Sequence, residues 1–552
     1  MPFEPVKDGD LAFIGLNSRD NASALPQGIL TKAQNVRLDR GIVSVRKGLQ
    51  RKKDTDADEP IYGVGVYFDS TGQERIVLVM GDRFRVYNPT SNAYNDTQFP
   101  TGISVSSSEG VDVVYAIDTI FVTRGFSLRP IKWDLSSNVI AEFPSHTTGN
   151  NTPLGHEFPS AKSLLYYCNR LIAMGGHHQQ VFDARQTVCV SNYLDYNHWD
   201  SLDAFTFNEG SNDETVAISP WTLNEFLVFM RNSIFYVNIG FGRYATGDAL
   251  DNNSFIKTLV TDIGCSAKES VVQANGGIIF LSDNGIYLLN PQSVGSNEAV
   301  RLLTVADPLS APIDDVIQSI NQAFAYKATA VYWNNRYYLA VPTGTSEVNN
   351  TVLVYNFILK NWESIDTYPA GFSIIKFCVA KKGNQRRLFA VDNNEGIFLL
   401  EELENGDEYS GEQGLPRLPF TLVETVPAAG QPDFRVYLQE TGFVKTPIQA
   451  EILTRRYTFN NNFDKRYSTV ETEVECQAGS NIKTIAVVTN PDTSTQLDDF
   501  YAPANEDFSR RSPIRKTGTG LQMRYLMSFF RPNIRSLTIN ATMQTKTNKS
   551  EK

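Results

Sequence analysis

The 552-residue chain lacks several features that would point to a particular chemistry or compartment. Its five cysteines are scattered without a CxxC pair, which argues against paired-thiol metal and redox motifs and indicates reduced core thiols in a protein made in a cytoplasm. No apolar run approaches the length of about eighteen residues that a membrane helix needs. The start has no basic stretch followed by an apolar run, so we expect no secretory signal.

An excess of basic residues is also missing. The chain has 61 acidic and 50 basic side chains, which gives a net charge of −11. A dedicated nucleic-acid binder usually has a basic balance, because neutralised phosphates supply much of its affinity. The composition therefore argues against tight binding of nucleic acid, although nucleic acid could pass the protein without being held.

The common catalytic and metal-binding motifs are absent. We find no GxSxG elbow, no GxxxxGK[ST] phosphate loop and no HExxH. Adjacent residues on an extended chain point to opposite faces, so His177 and His178 do not readily share a metal. The spacing of Asp54, Asp56 and Asp58 matches a calcium loop, but the glycine and the closing glutamate are missing, which favours an acidic linker. We assign no catalytic residue, cofactor or metal, and expect that the chain is not an enzyme.

Helical periodicity is scarce, and only residues 313–324 come close to it. Aromatic residues make up 11% of the chain, and Tyr and Phe supply most of them. Aromatic and β-branched side chains suit pleated, half-buried surfaces. These features predict a nearly all-β protein.

The chain does contain a repeated block, which consists of a short apolar strand, a tight polar turn and a second apolar strand that ends in Asn, Asp or Pro. The turns lie 43 to 59 residues apart and are centred near Gly81, Arg124, Gly175, Asn232, Asn284, Asn334 and Asn393. A hairpin unit with a period of about fifty residues is typical of a β-propeller. We expect a propeller of six to eight blades over residues 61–402, and we suggest that an N-terminal strand completes the last blade.

The two ends of the chain differ from the repeats. Residues 1–60 form an N-terminal arm with one strand pair, and residues 403–419 form a linker of acidic, Gly- and Pro-containing sequence. Residues 420–552 hold six alternating segments, which predict a separate C-terminal β-sandwich or barrel. Glutamates alternate with Val and Thr from Val470 to Glu475, and this pattern indicates a strand with one solvated face.

Two basic clusters could contact DNA phosphate or an acidic partner subunit, although solvated surface charge is the simpler interpretation. They comprise Arg46, Lys47, Arg51, Lys52 and Lys53 near the start, and Arg510, Arg511, Arg515 and Lys516 near the end. Aromatic clusters could be sugar platforms, but their hairpin spacing favours blade core or cross-strand pairs. These are Tyr332-Trp333, Tyr337-Tyr338 and Asn361-Trp362.

Three features together resemble the tail hub, or nozzle, proteins of short-tailed bacteriophages. The first is the N-terminal segment 25–48, which contains Asn35-Val36-Arg37 and Arg46-Lys47-Gly48. The second is the chain of hairpins, with segments 285–291 and 334–342. The third is the C-terminal β-domain, in which Glu440-Thr441-Gly442-Phe443 precede a long series of strands. The resemblance spans most of the chain.

This resemblance implies a propeller in each subunit of a homo-hexameric tube, which lies below the portal and the head–tail adaptor protein in the virion tail. The tube would be a channel for DNA ejection and an attachment platform for tail fibre or spike proteins. Contact with the passing double-stranded DNA would be transient, and no cofactor or membrane insertion is implied. We expect synthesis in the host cytoplasm.

Three other functions remain open. A carbohydrate-binding propeller, acting as a lectin or receptor-binding protein, would need an aromatic and polar pocket repeated in each blade, and the sequence shows no such repeat. A propeller glycosidase would need acidic residues that converge at the channel mouth. An intracellular scaffold propeller should lack the distinct C-terminal β-domain.

Overall fold

The computed structural model describes residues 3–53, 60–108, 110–143, 158–176, 184–197, 199, 204–222, 224–239, 255–289, 308–392, 396–404, 406–409, 420–424, 436–440 and 445–544. Nearly all regular structure in these ranges is β, as the composition predicted. Their one α-helix, α1 (Asp314–Gln318), is a short segment before blade 6. None of the helices in these ranges is long and apolar enough to cross a membrane.

Six strands precede the repeats. They are β1 (Phe3–Asp10), β2 (Gly15–Leu16), β3 (Ile29–Gln34), β4 (Val36–Asp39), β5 (Ile42–Val45) and β6 (Gly48–Lys53). Strands β4 and β5 form an antiparallel hairpin, and β2 pairs parallel to β3. The other pairings of this section are made with distant parts of the chain.

The next sixteen strands form four antiparallel blades. Blade 1 contains β7 (Gly63–Phe68), β8 (Glu74–Val79), β9 (Arg83–Asn88) and β10 (Ala93–Gln98). Blade 2 contains β11 (Val113–Ala116), β12 (Thr119–Val122), β13 (Ile131–Asp134) and β14 (Val139–Glu142). Blade 3 contains β15 (Ser160–Tyr167), β16 (Arg170–Gly176), β17 (Thr187–Val190) and β18 (Ala204–Thr206). Blade 4 contains β19 (Thr215–Pro220), β20 (Glu225–Met230), β21 (Ile234–Asn238) and β22 (Phe255–Val260).

Three further blades complete the series. Blade 5 contains, within the described residues, β23 (Val272–Ala274), β24 (Gly277–Ser282) and β25 (Gly285–Leu289). Blade 6 contains β26 (Thr329–Trp333), β27 (Arg336–Val341), β28 (Thr351–Asn356) and β29 (Asn361–Thr367). Blade 7 contains β30 (Ile374–Lys382), β31 (Gln385–Asp392) and β32 (Gly396–Leu403). The N-terminal strand β6 pairs antiparallel with β32 as the fourth strand of blade 7, which confirms that an N-terminal strand completes the last blade.

The blades close into a ring. Their first strands lie side by side around one axis, and β30 of blade 7 contacts β7 of blade 1. An apolar layer fills each gap between neighbouring blades, and the layer between blades 7 and 1 contains Ile76, Leu78, Phe389 and Leu399. The protein therefore contains a seven-bladed β-propeller, within the predicted range of six to eight blades.

The end of the third strand explains why the sequence block ends in Asn or Asp. In blade 1, the side chain of Asn88 accepts hydrogen bonds from the backbone N–H groups of Thr90 (2.9 Å) and Ser91 (3.2 Å). Asp134 of blade 2 and Asn356 of blade 6 accept the same bonds from residues two and three positions further along. Asn and Asp initiate turns in this way, so they start the connection to the outer strand.

The remaining strands form two small two-stranded sheets and a sandwich. They are β33 (Asp407–Glu408), β34 (Phe420–Glu424), β35 (Val436–Glu440), β36 (Lys445–Thr446), β37 (Ala450–Thr454), β38 (Lys465–Cys476), β39 (Asn481–Thr489), β40 (Thr493–Tyr501), β41 (Glu506–Gly518), β42 (Gly520–Ser528) and β43 (Asn533–Gln544). Strand β33 pairs with β36, and β34 pairs with β35. The sandwich has one sheet of order β4-β5-β43-β38-β41, with β1 also on β43, and a second of order β3-β37-β42-β39-β40.

The second sandwich sheet is continuous with the propeller. Strand β29 of blade 6 pairs in parallel with β3 at Ile365 and Gln34, so blade 6 and this sheet form one ten-stranded sheet. The first 53 residues therefore supply strands to both bodies. In β38 the expected alternation is confirmed, because Val470, Thr472 and Val474 are buried while the glutamates between them face outward.

Close packing between blades 1 and 2 leads to a first prediction. A Cβ atom on Gly65 of β7 would lie 2.5 Å from Val113 Cγ1 of β11. We expect Gly65→Ala to lower the free energy of unfolding by about 1–3 kcal/mol, the usual cost of overpacking, as measured by chemical denaturation. Gly81→Ala is the control, because the atom nearest to its Cβ would be 3.7 Å away. Equal losses in both variants would contradict the packing explanation.

Candidate functional site

The axis of the propeller is occupied by four charged side chains from blades that are not neighbours. Asp112 precedes the inner strand of blade 2, Lys268 and Glu269 lie in a short 3-10 turn that leads into blade 5, and Lys376 lies on β30 of blade 7. Lys268 Nζ is 2.7 Å from Asp112 Oδ2 and 3.2 Å from Glu269 Oε1, and Lys376 Nζ is 3.0 Å from Glu269 Oε2. Because blades 2, 5 and 7 approach one another only at the centre of the ring, this axial ladder crosses the axis.

Blades 2 and 3 hold Asp112 in place. Ser163 Oγ and the backbone N–H of Leu164 donate hydrogen bonds to its Oδ2 at 2.9 and 3.0 Å. The backbone N–H of Asp112 donates to Thr123 Oγ1 at 2.8 Å. A carboxylate with a cation and several donors is stabilised in its ionised form. The sequence does not reveal this site, because more than 100 residues separate Asp112 from the adjacent Lys268 and Glu269, and these two from Lys376.

The electrostatics of the axial ladder keep it charged. Burial raises the pKa of Asp112, but attraction to Lys268 and Lys376 and hydrogen bonds outweigh this effect and bring the pKa to about 2. For Glu269, burial is likewise outweighed by the same two lysines, so its pKa is lowered. Burial lowers the pKa of Lys376, but attraction to Glu269 and Asp112 outweighs this effect. The pKa of Lys376 is therefore raised well above its ordinary value. Two carboxylates face two ammonium groups, so the axial ladder is internally neutralised.

A second buried group of charges joins the N-terminal section to the propeller. Arg37 of β4 lies between blades 6 and 7, where its guanidinium donates to Asp366 at 2.5 and 3.1 Å and to Glu401 Oε1 at 3.0 Å. Arg46 makes a bidentate pair with Asp407 at 2.7 and 2.9 Å and stacks on the ring of Tyr368, 4.3 Å from its centroid. We call Arg37, Arg46, Asp366, Glu401 and Asp407 the junction cluster.

Asn35 is the polar centre around which the junction cluster is arranged. Its φ of 56° places it in the left-handed region, which Asn tolerates better than most residues. Its Nδ2 donates to the Gln449 carbonyl at 2.8 Å and to Thr367 Oγ1 at 3.1 Å. Its Oδ1 accepts from the backbone N–H of Thr367 at 2.9 Å and from Arg46 Nε at 3.1 Å. Asn35, Arg37 and Arg46 of the N-terminal motif therefore have structural roles.

The N-terminal basic cluster does not form an open basic surface. Arg46 is only 1% exposed and is paired with Asp407, and Arg51 is also buried. Lys47 forms an ion pair with Glu404 at 2.6 Å. Burial and the neighbouring Lys382 lower the pKa of Lys52 to about 8. The interpretation of this cluster as solvated surface charge was therefore wrong for its arginines, which neutralise buried carboxylates or lie in the core.

The C-terminal basic cluster is partly neutralised on β41. Arg510 pairs with Asp498 and stacks over the ring of Phe500 at 4.3 Å, and Arg511 lies 3.5 Å from Glu471. Arg515 is exposed, and Lys516 is half-buried. Only part of this cluster remains available to an anionic partner.

The aromatic clusters belong to the blades, as predicted. Tyr337, Tyr338 and Trp362 are at most 1% exposed, and Trp362 Nε1 donates to the Leu309 carbonyl at 2.8 Å. Tyr332 and Trp333 are half-buried on β26. No broad aromatic platform is formed by these residues.

A smaller aromatic–polar pair recurs in three blades and was missed in the sequence. At the turn after the first strand, a Tyr hydroxyl donates to the side-chain oxygen of an Asp or Asn three residues later. The pairs are Tyr115–Asp118 (3.0 Å), Tyr166–Asn169 (3.3 Å) and Tyr332–Asn335 (3.1 Å). The signal was the spacing Tyr-x-x-Asp/Asn at equivalent places in blades 2, 3 and 6. The up-and-down order of the strands places all three pairs on one face of the propeller.

Other candidate positions show no chemical site. His177, His178, Asp54, Asp56 and Asp58 lie outside the described residues. Within the described ranges, no group of three or more His, Cys, Asp or Glu side chains is arranged to hold a metal. Four cysteine thiols are buried and Cys168 is half-buried. A small space between the sandwich sheets is lined by apolar and polar side chains, and two of the polar ones, Thr472 and Tyr525, bond to each other at 2.8 Å.

Comparisons with known proteins add little to this description. No family model matches the chain, and no curated protein matches it. The solved structures that are similar to it include two of low identity. "YCF48 from Cyanidioschyzon merolae" is 10% identical, with a TM-score of 0.36, over 64% of this chain and 98% of that one. "KlHsv2 with loop 6CD replaced by a Gly-Ser linker" is 9% identical, with a TM-score of 0.34, over 61% of this chain and 90% of that one. Neither similarity bears on function.

The axial ladder leads to a prediction about acid stability. Folding lowers the pKa values of Asp112 and Glu269, so their stabilising effect is present above the unfolded values of about 4 and is lost as the pH falls towards 2. We expect Asp112→Asn to lower the free energy of unfolding at pH 7 by about 1–3 kcal/mol, because Lys268 loses the nearer of its two carboxylate partners. We also expect a shallower loss of stability between about pH 4 and 2 than in the wild type.

Denaturant titrations across this pH range measure both effects. Asp39→Asn is the control, because it neutralises an exposed carboxylate at the end of β4. Parallel pH profiles of Asp112→Asn and the wild type would contradict a charged axial ladder.

Proposed function

We propose that the chain is a structural subunit of a virion, namely of the ring-shaped tail nozzle, or hub, of a short-tailed bacteriophage. In this proposal six copies form a tube below the portal and the head–tail adaptor. The tube conducts DNA during ejection and carries tail fibres or spikes. The chain forms part of the tube wall and does not act as an enzyme.

The observation that carries this proposal is the continuity between the propeller and the sandwich. Blade 6 and one sandwich sheet form a single ten-stranded sheet, and the same N-terminal section supplies strands to both sandwich sheets and to blade 7. Domains joined only by linkers move relative to each other by default. A subunit of a conduit must keep its shape while DNA passes, and a shared sheet meets this demand.

The paired charges at the propeller axis also favour a structural role for the chain in the wall of the tube. The axial ladder ties blades 2, 5 and 7 together with its charges already paired, so these four side chains do not leave an open charged site at the axis. The DNA path in the proposed tube therefore lies between subunits and not through a propeller. The net charge of −11 suits such a path, since each phosphate contact would have to be broken during ejection.

A direct test is to image the purified chain alone and with its adaptor by native mass spectrometry and cryo-electron microscopy. We expect sixfold rings, at least in the presence of the adaptor, with a pore wide enough for duplex DNA. The propeller axis of each subunit should stay closed. A chain that remains monomeric at high concentration with the adaptor present would contradict the proposal.

The recurring Tyr–Asp/Asn pairs favour a second candidate, a carbohydrate-binding propeller. An aromatic ring beside a carboxamide or carboxylate is a common way to hold sugar hydroxyls, and three blades repeat it on one face. In Blade 3 the pair is extended, because Asn169 Nδ2 donates to Tyr193 Oη at 3.0 Å. The same hydrogen bonds also stabilise the turns, so this candidate stands second.

Glycan-array screening followed by saturation-transfer NMR tests this candidate. If it is right, the wild type binds a glycan and Asn169→Ala weakens binding about tenfold or more, the effect of a hydrogen bond worth roughly 1.4 kcal/mol. Asn138→Ala is the control, because it removes a similar contact, from Trp133 Nε1 at 3.0 Å, at the outer turn of blade 2. A wild-type chain that binds no glycan would exclude the candidate.

A further inference from the structure

We infer that residues 3–53 act as a clasp that couples closure of the propeller ring to assembly of the C-terminal sandwich, so that loosening one loosens the other. We call this segment the N-terminal clasp. The inference does not depend on the proposed function, because it concerns how one chain holds itself together.

At the ring, the N-terminal clasp closes blade 7. Strand β6 pairs with β32 from Lys53–Ile397 to Gly48–Leu403. Leu49 is 1% exposed and packs in the apolar layer between blades 6 and 7 with Phe398. The backbone N–H of Leu49 also donates to Asp407 at 2.9 Å. The clasp therefore supplies the fourth strand of blade 7, the last blade of the ring.

At the sandwich, the N-terminal clasp completes both sheets. Strand β1 pairs with β43 along its whole length, and β3 pairs with β37. Asp10, which is 1% exposed, accepts from Arg455 Nε and from the backbone N–H of Gly28, both at 3.0 Å. Asp8 pairs with the same arginine at 2.7 Å. Without the clasp, the C-terminal strands would lose three sheet partners, β1, β3 and β5, and Arg455 would lose the carboxylates with which it pairs.

Between these two ends, one buried polar network spans both bodies. Asn35 bonds to Gln449 just before β37, to Thr367 in blade 6 and to Arg46, which in turn holds Asp407 after blade 7. If either end of the clasp is displaced, buried donors and charges lose their partners. Unpaired buried charges are strongly unfavourable, so the two displacements should occur together.

The partners of the N-terminal clasp also lie far from it along the chain. These partners include β37 and β43. Asp10 and Arg455, which form an ion pair, are separated by 445 residues. Such long-range contacts form only after the intervening chain has been made and ordered. The N-terminal clasp therefore completes its contacts only after the strands from β37 to β43, which follow it in the chain, have been synthesised.

Hydrogen exchange of the full chain, followed by mass spectrometry, tests the coupling. Leu49→Ala loosens the clasp at the ring, and the hydrogen-exchange rates of the sandwich strands show whether the loosening is transmitted. We expect exchange to accelerate about tenfold or more in β6 and β32 and by a similar factor in β37 and β43, since a Leu→Ala change in a core shifts local opening at least that much. Acceleration confined to β6 and β32 would overturn the inference.

Leu171→Ala is the matched control, because Leu171 is also 1% exposed but lies in the layer between blades 2 and 3. It should leave exchange in β43 unchanged. Equal acceleration of β43 in both variants would show general loosening and would also overturn the inference. Asp10→Asn gives the reverse experiment, with faster exchange expected in β6 and β32. If Leu49→Ala does not fold, Leu49→Val replaces it with the same expected pattern and the same contrary outcome.

Discussion

The pairing of Arg46 with Asp407 is the constraint on which the rest of the structure depends. Both side chains are almost fully buried, at 1% and 4% exposure, and taking such charges out of water is costly unless each finds the other in good geometry. The bidentate contact fixes where β6 begins and therefore the register of blade 7. The neighbouring carbonyls, Asn35 and the ring of Tyr368 complete the surroundings of the guanidinium. A chain in which residue 46 could not reach residue 407 would leave both charges unpaired.

Much of the fold could be predicted because it depends on local patterns. Hairpin turns repeat at a regular distance, strand alternation is visible in β38, and the Asn or Asp at the end of a third strand is needed by the turn that follows. The junction cluster and the axial ladder could not be predicted. Apart from the adjacent Lys268 and Glu269, the residues that pair in them are more than 100 positions apart. A charged residue such as Arg37 or Asp112 also looks the same in a sequence whether it is solvated or buried. Only the three-dimensional arrangement of the blades brings them together.

The N-terminal motif shows how a resemblance and a physical role can coincide. Asn35 adopts a backbone conformation that few residues tolerate, Arg37 and Arg46 satisfy buried carboxylates, and Gly48 leaves no room for a side chain beside the Gly406 carbonyl. Each of these residues is required by the way the first strands connect blade 7 with the sandwich. In this chain the motif therefore describes the connection between the propeller and the sandwich.

The ten-stranded sheet has a mechanical consequence. Its narrowest point is the contact between β29 and β3, where a single residue pair, Ile365 and Gln34, joins the two halves. Tension across the sheet would concentrate at this point, and the side-chain bonds from Gln34 and Asn35 to Thr367, each 3.1 Å long, lie beside it. These amide groups add two side-chain bonds to the single backbone pairing, so a pulling force across the sheet acts on them as well.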